Sequence, residues 1–322
     1  MKLYPLTFDP IFKERIWGGR NLETLYGKPL PPGLRIGESW EICDRPNDQS
    51  VVANGPLRGR TLHWLITECP EALLGPRRPM PPRFPLLIKI IDAQETLSLQ
   101  VHPPAGLAAE LGGEPKTEMW YVARAEPKAE LFVGLKSGVT RARFEQERIS
   151  QTVAGCFHRI KVKAGDAMFL PSGRVHALGG GTVIFEIQQN SDTTYRVFDW
   201  NRLDGDGKAR ELHVAQSLAS IDFNDFEPGL LPQSTLDAVP GTIRPLVKNE
   251  LFEVAVRKLP GGERMNLTDG GMQVIGVVEG VVWIETAEEN ITLQAGGFCL
   301  VPAQGVEAIL GTEGGASFLQ VC

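Results

Sequence analysis

Long apolar runs are missing from this sequence. None of its 322 residues belongs to an uninterrupted apolar stretch of about 18 residues, the length that a membrane-spanning helix needs. The first residues, MKLYPLTFDPIF, also lack the continuous apolar segment of a secretory signal. We therefore expect a cytoplasmic protein with no membrane partner.

Cysteine is scarce and scattered. The chain contains five cysteines, which is an odd number, and no two of them have Cys-x-x-Cys spacing. Neither a disulfide framework nor a thiolate zinc site is therefore indicated. We expect the cysteines to be buried small apolar groups, so that any metal would be bound by other residue types.

An excess of positive charge is also absent. Lys and Arg number 33 against 39 Asp and Glu, the net charge is −6, and basic residues are interspersed with acidic ones. Such a chain has no electrostatic footprint for a nucleic-acid backbone, so we expect no nucleic-acid partner. A phosphorylated small molecule is still compatible, because it needs only a local pocket of positive charge.

Glycine and proline, in contrast, are plentiful, and the sequence pattern is typical of a β protein. They number 35 and 24 and separate short runs rich in Val, Ile, Leu and Phe, which is typical of antiparallel sandwiches and barrels. The chain is predicted to be mainly β. Helices are predicted for three segments only, near residues 60, 140 and 211.

The chain divides into two predicted domains, 1–235 and 236–322. Little periodicity is visible in the proline- and glycine-rich segment 224–245, which predicts a linker or wrapping loop. The segments GDAMFLPSGRVHAL and GGFCLVPAQGVEAI suggest a duplicated strand-turn-strand unit. The second copy has Glu307 near the place of His176, and 236–322 contains no histidine.

A short predicted strand, LSLQVHP at 97–103, carries one polar face. Side chains alternate along a strand, so Ser98, Gln100 and His102 lie on the same side. Glu118 and His176 follow in other strand-like segments. Two imidazoles, a carboxylate and an amide oxygen suit zinc or another divalent metal. Taken alone, the row on 97–103 is better explained as a solvated strand face.

A second motif favours the metal site. The segment GDAMFLPSGRVH has the spacing Gly-x5-Pro-x-Gly-x2-His of the second cupin motif, matched by Gly165, Pro171, Gly173 and His176. The first cupin motif is less well kept, because Gln100 stands in place of its first histidine and Glu118 comes late after His102.

The departure from the first cupin motif is itself similar to the pattern of a known family. Gln-x-His, then Lys-x-Glu, then a distant His resembles the type I phosphomannose isomerases, zinc cupins that interconvert mannose 6-phosphate and fructose 6-phosphate. The resemblance is strongest to the short bacterial branch. It is carried by IWGG (16–19), IGESWEI (36–42), FPLLIKIIDAQETLSLQVHP (84–103), KTEMWYV (116–122), NSDTTYRVFDWNR (190–202) and RELHVAQSLASIDF (210–223).

The resemblance implies two cupin-type β-barrels (jelly rolls) with a few helices, the second barrel degenerate and metal-free. It implies one Zn²⁺ per chain, a hexose 6-phosphate substrate, and a monomer or weak homodimer. The implied metal ligands are Gln100, His102, Glu118 and His176; the implied catalytic residues are Arg196, Lys116 and Glu186; the implied substrate-binding residues are Ser98, Lys89 and Glu38.

Several alternatives stay open. The base could be Glu186, His102 or a zinc-bound water, and Lys89 could be a snorkelling lysine at a barrel rim. Glu41 is a weaker site candidate, and His63, His158 and His213 are interpreted as structural. The chain could also be a non-catalytic sugar-phosphate-binding or regulatory cupin, or a metal cupin that acts on another sugar phosphate. Gln100 and Arg196 count against a metal-dependent dioxygenase.

Overall fold

The computed structural model describes residues 2–76, 79–203, 207–233, 241–267 and 271–322, and antiparallel strands dominate them. The expectation of a mainly β chain is confirmed. The N-terminal strands are β1 (Phe8–Asp9), β2 (Ile11–Gly19), β3 (Ile36–Ile42), β4 (Asp44–Arg45), β5 (Asp48–Gln49), β6 (Val51–Val52), β7 (Leu86–Ala93), β8 (Leu99–Val101), β9 (Glu118–Ala125), β10 (Glu130–Leu135), β11 (Phe157–Lys161), β12 (Ala167–Leu170), β13 (His176–Leu178), β14 (Thr182–Gln189) and β15 (Tyr195–Phe198).

The three predicted helical segments are confirmed, and local sequence explains their ends. Thr61 and Thr140 each accept a hydrogen bond from a backbone N–H of the first turn that follows, which is a favourable N-cap. Pro70 begins a new short helix where its missing N–H costs nothing. The helices are α1 (Asn21–Tyr26), α2 (Leu62–Glu68), α3 (Pro70–Leu74), α4 (Ala105–Ala108), α5 (Arg141–Ile149) and α6 (Val214–Ser220), with a 3-10 turn at Val153–Cys156.

Two antiparallel sheets form the N-terminal part. One has the order β11-β10-β13-β8-β15 and the other β12-β9-β14-β7-β3-β2. Leu131 and Leu178 of the first sheet share one buried apolar cluster with Val122 and Ile184 of the second. The sheets therefore pack face to face as a sandwich with an apolar inner layer.

The outer faces of both sheets are covered as well. Phe144 of α5 packs with Leu99 and Val101 behind the five-stranded sheet. Leu65 of α2 and strands of the C-terminal part share a cluster with Ile88 behind the six-stranded sheet. Because β7 is covered on both faces, it reads as an almost continuous apolar run with Lys89 as an exception.

The C-terminal part is a further antiparallel sheet that is tied to the first part. Leu6 and Leu300 exchange backbone hydrogen bonds of 2.8 Å, and Arg244 donates to the Gly165 carbonyl at 2.7 Å. The buried Lys28 side chain donates to the Gly296 carbonyl at 3.1 Å. The C-terminal strands are β16 (Ile243–Lys248), β17 (Glu253–Leu259), β18 (Arg264–Asn266), β19 (Gln273–Glu285), β20 (Asn290–Gln294), β21 (Phe298–Val301), β22 (Ile309–Gly311) and β23 (Ala316–Val321).

Two sequence-based expectations need correction. The predicted loop 224–245 ends too late, because 243–245 already belong to β16; residues 234–240 lie outside the described residues. Pro245 hid this strand, and it is tolerated because β16 is at the edge of its sheet. Cys322 is exposed and Cys69 only half-buried, whereas the other three cysteines are buried as expected.

Within the described ranges, no helix combines the length and the apolar character that crossing a membrane requires.

Candidate metal centre and active site

The polar row on β8 lies inside the sandwich. Gln100 pairs directly with His176 of β13 on one side and with Arg196 of β15 on the other. The alternate residues Leu99 and Val101 pack on the outer side of the same sheet. The row therefore lies opposite the six-stranded sheet, and the interpretation as a solvated strand face is wrong.

Two histidines, one of them His102 of this row, converge with a glutamate. His102, Glu118 and His176 are at most 2% exposed, and one ligand atom from each lies within 4.8 Å of the others. The distances from the carboxylate of Glu118 are 3.5 Å to His102 Nε2 and 3.2 Å to His176 Nε2. This spacing brings three ligand types suited to a divalent cation around one point.

Both imidazoles are oriented by backbone carbonyls. His102 Nδ1 lies 2.8 Å from the carbonyl of Thr193, and His176 Nδ1 lies 2.9 Å from the carbonyl of Arg174. In each ring Nδ1 is therefore the donor, which leaves Nε2 as the acceptor and potential ligand. Burial lowers the pKa of both histidines, and Lys116 helps to bring the pKa of His102 to about 3. Neutral imidazole is the form that binds metals.

Glu118 is kept ionised in a buried position. Burial opposes its charge, but Lys116, whose Nζ lies 3.0 Å away, lowers the pKa of this carboxyl well below its usual value. Among the described residues, His102 Nε2 and both Glu118 oxygens make no well-oriented hydrogen bond, although Glu118 Oε2 is ion-paired with Lys116. Buried polar atoms are normally satisfied. This donor set with unsatisfied ligand atoms fits a bound divalent cation.

Gln100 is the fourth residue at the cluster. Its amide nitrogen lies 3.3 Å from His176 Nε2. Rotation of the amide would exchange nitrogen and oxygen at that position, so an oxygen ligand is available there.

The turn before His176 explains how the histidine reaches the interior. Gly165 and Gly173 have φ values of 89° and 92°, which side chains with a Cβ rarely adopt. A Cβ on Gly173 would also lie 3.2 Å from the Ser220 carbonyl. Arg174 holds the turn through two hydrogen bonds of 2.8 Å to Asp225. The cupin-type spacing thus corresponds to a real corner between β12 and β13.

A cavity of about 500 Å³ opens beside the cluster. Among the described residues that line it are Gln100 and Lys116, which contact His176 and Glu118 respectively, whereas His102, Glu118 and His176 are not among them. The other predicted catalytic and substrate-binding residues line the cavity together: Ser98, Lys89, Glu38, Glu186, Arg196 and Lys116.

A row of side chains crosses the six-stranded sheet at the cavity. Strand register places Trp120 of β9 opposite Glu186 of β14, Glu186 opposite Lys89 of β7, and Lys89 opposite Trp40 of β3. Lys89 Nζ lies 3.3 Å from Glu186 Oε2 and 5.0 Å from the centre of the Trp40 ring. Lys89 therefore has partners on both neighbouring strands.

The two carboxylates near Lys89 differ in their electrostatics. Burial disfavours the charge of Glu38, but Lys89, Arg15 and the Trp40 N–H lower its pKa to about 2. For Glu186 burial is the largest effect and the charge of Glu118 adds to it, so its pKa is raised despite Lys89. Glu38 is therefore a fixed anion, and Glu186 is closer to exchanging a proton.

Arg196 is held at the cavity by its backbone and by one end of its guanidinium. Its Nη1 donates to the Glu211 carbonyl at 2.7 Å, and its backbone N–H and C=O both bond to His213. This contact fits the structural interpretation of His213. A separate carboxylate, Asp199, accepts hydrogen bonds from Arg202 and Arg210, and Arg210 also lines the cavity.

Some cavity residues had no assignment from the sequence. Trp120 follows Glu118 by two residues, so strand alternation could have placed it on the same face. Arg15 and Trp17 alternate in the same way on β2, whereas Arg210 had no such signal. Glu41 is not among the lining residues that the structure describes; it pairs with buried Lys28 at 2.7 Å.

The fold and the site together define a cupin-type protein with a candidate metal centre. The two-sheet sandwich turns His176 inward at the corner between β12 and β13, and a charged cavity lies beside the His-Glu-His cluster. Residues 6–146 match the model of the phosphomannose isomerase type I catalytic domain. The chain belongs to the type I phosphomannose isomerase family.

Similar proteins extend the match over the whole chain. Mannose-6-phosphate isomerase ManA of Bacillus subtilis is 43% identical over 69% of each chain, and the putative mannose-6-phosphate isomerase YvyI of the same organism is 36% identical over 93% of each. The crystal structure of a Bacillus subtilis mannose 6-phosphate isomerase superimposes with a TM-score of 0.88 at 33% identity, covering 99% of this chain and 100% of the other.

Proposed function

We propose that the protein is a mannose-6-phosphate isomerase that interconverts mannose 6-phosphate and fructose 6-phosphate. The observation that carries this proposal is the buried His102, Glu118 and His176 cluster beside a cavity lined by Lys89, Lys116 and Arg196. The similarity of the chain to mannose-6-phosphate isomerases of Bacillus subtilis supports it.

The proposed cofactor is one Zn²⁺ per chain. Gln100, His102, Glu118 and His176 would hold it, because nitrogen and oxygen ligands without thiolate suit a reactive zinc site. When bound, such an ion supplies Lewis-acid stabilisation of negative charge on sugar oxygens.

The cationic residues have a proposed role in binding and charge stabilisation. Arg196 keeps its charge and presents a planar donor surface suited to a phosphate or an enediolate. Its Nε has no hydrogen-bond partner among the described residues, so one donor is available. Lys116 adds positive charge beside Glu118. Ser98, Lys89 and Glu38 are proposed to contact the substrate.

Glu186 is the proposed proton acceptor. Aldose-ketose isomerisation moves a proton between C2 and C1, and a general base works best when its pKa is near the working pH. Glu186 lines the cavity and its pKa is raised by burial, whereas the pKa of Glu38 is lowered to about 2. Glu186 can therefore both accept and return a proton.

The test is a coupled assay of fructose 6-phosphate formation from mannose 6-phosphate. The protein is assayed as purified, after chelation, and after zinc is restored. Loss with chelator and recovery with zinc would support the isomerase. Bound zinc without turnover would favour the alternative, a sugar-phosphate-binding or regulatory cupin, and turnover of another hexose 6-phosphate would favour a related specificity.

A cytoplasmic location and a monomer or weak homodimer complete the proposal. The five cysteines are all free, which fits a reducing compartment. Cell fractionation tests the location, and analytical ultracentrifugation over a range of protein concentrations tests the assembly.

A further inference from the structure

Two buried tryptophans flank the charged centre of the cavity in the same way. Trp120 Nε1 donates to Glu186 Oε1 at 2.8 Å, and Trp40 Nε1 donates to Glu38 Oε2 at 2.7 Å. Both indoles are 1% exposed. Each carboxylate beside Lys89 therefore has one oxygen fixed by a tryptophan N–H.

Trp120 has a second contact that Trp40 does not share. Its ring meets the His176 ring edge-on, with centroids 5.3 Å apart and planes at 88°. One side chain thus touches the proposed base through its nitrogen and a proposed metal ligand through its ring.

The hydrogen bond matters because a glutamate carboxylate is poorly fixed by its own torsions. Rotation about its last bond is broad, so the two oxygens exchange places unless one is held. In Glu186 the held oxygen is Oε1. Oε2 accepts no hydrogen bond within the described part of the chain, and Lys89 Nζ is 3.3 Å away.

We infer that Trp120 is a positioning residue, whose N–H fixes Oε1 of Glu186 and thereby leaves Oε2 available to exchange a proton with the substrate. The inference rests on the proposed function, which makes Glu186 the proton acceptor. Trp120 itself carries no proton in the reaction.

The charges around Glu186 give the direction of the expected pH effect. They are Lys89 on β7, together with Glu118 at the start of β9 and Lys116 just before it. The Trp120 N–H also favours the ionised carboxylate, so its removal raises the pKa of Glu186. A base acts in its ionised form. As the pH is lowered, the variant should therefore lose activity at a higher pH than the wild type does.

The test compares W120F with the matched control W40F in the zinc-loaded enzyme. Phe keeps a ring beside His176 but removes the N–H. We expect W120F to lower kcat about 10- to 100-fold, as loss of a supporting hydrogen bond does at other sites, with zinc content and KM nearly unchanged. Its acid limb should move up by about one pH unit. In W40F, which loses an equally buried N–H to Glu38, the limb should not move.

Several results would overturn the inference. They are wild-type kcat and pH profile in W120F, loss of zinc together with activity in W120F, or the same limb shift in W40F. A double-mutant cycle adds a check: in the E186Q background, W120F should cause no further loss of kcat, and a full multiplicative loss contradicts action through Glu186.

One measurement is independent of turnover and of the stability of W120F. In NMR spectra of the zinc-loaded protein, the Trp120 indole N–H signal should move on going from wild type to E186Q, while the Trp40 signal stays in place. An unmoved Trp120 signal removes the hydrogen bond and the inference with it. Absence of isomerase activity in the wild type would instead contradict the proposed function.

Discussion

The turns at 171–176 and 302–307 share a sequence pattern but differ in their chemistry. Each begins with a proline and ends five positions later, at His176 in the first and Glu307 in the second. The glycines in these turns, Gly173 and Gly305, have φ values of 92° and 78°. Yet His176 is 1% exposed, whereas Glu307 is exposed.

The difference lies in what surrounds each turn. His176 has Gln100 directly opposite in the sheet and Glu118 within 3.2 Å. The C-terminal sheet instead encloses an apolar cluster that includes Ile275, Leu310 and Phe318. The corner geometry therefore positions a side chain, but neighbouring strands decide whether a site exists.

Removal of the His176 side chain, a proposed metal ligand, should have the largest effect. We expect His176→Ala to lose bound zinc and at least about 10²-fold in activity, more than outer supporting residues cost, because Glu118 and His102 then lack a partner. Glu307→Ala, at the equivalent place, should leave both unchanged. Zinc is measured by elemental analysis, and activity by the coupled assay. Equal behaviour of the two variants would contradict the contrast between the turns.

The next largest difference is expected between alanine substitutions of Arg196 in the N-terminal part and Arg264 in the C-terminal part. Arg196→Ala should keep zinc and lose about 10²- to 10³-fold in kcat, the size of losing one charge-stabilising donor. Arg264→Ala, which removes an exposed arginine stacked on Trp283 at 4.8 Å, should keep both. Retained turnover in Arg196→Ala would remove this residue from the mechanism.

Alanine substitutions at Gly173 and Gly305 distinguish the effect of backbone strain on stability from the effect of site geometry on zinc binding. Alanine at either position should cost about 1–2 kcal/mol of unfolding free energy, because a Cβ disfavours the left-handed region. Gly173→Ala should also weaken zinc binding, since its Cβ would meet the Ser220 carbonyl, whereas nothing lies within 4 Å of a Cβ at Gly305. Urea titrations measure the stability and competition with a chelator measures zinc affinity. Weakened zinc binding in Gly305→Ala would contradict the distinction.

The smallest effect is expected from restoring the missing histidine. Glu307→His should not create a second zinc site, because the described residues contain no other cluster of three metal-binding side chains. Zinc should stay at one per chain, with stability within about 0.5 kcal/mol of the wild type. A second bound zinc would show that the turn alone can recruit ligands.

Much of the fold was readable from local patterns. Alternation along 97–103 placed Ser98, Gln100 and His102 on one face, and the glycine-proline spacing predicted the inward turn of His176. Both patterns act within one strand or one turn. The strand β16 was hidden by Pro245, and β2 and β3 were not predicted as strands. The division at 235/236 stays a prediction, because 234–240 lie outside the described residues.

The rest of the site depends on strand register, which single-sequence patterns do not specify. The pairing of Glu186 with Trp120 and Lys89 joins residues from three strands. Nothing in the local sequence says that β14 lies between β9 and β7. The same holds for Arg210, which reaches the cavity from a loop.

The row Trp120, Glu186, Lys89 and Trp40 takes one side chain from each of four neighbouring strands. A slip of one residue in any of these pairings would turn the slipped strand's side chain to the opposite face. The candidate active site therefore depends on correct strand pairing: a chain that has trapped a shifted strand during folding has the complete sequence but an incomplete site. In refolding, recovery of catalysis should therefore follow native strand pairing and not the earlier recovery of β structure.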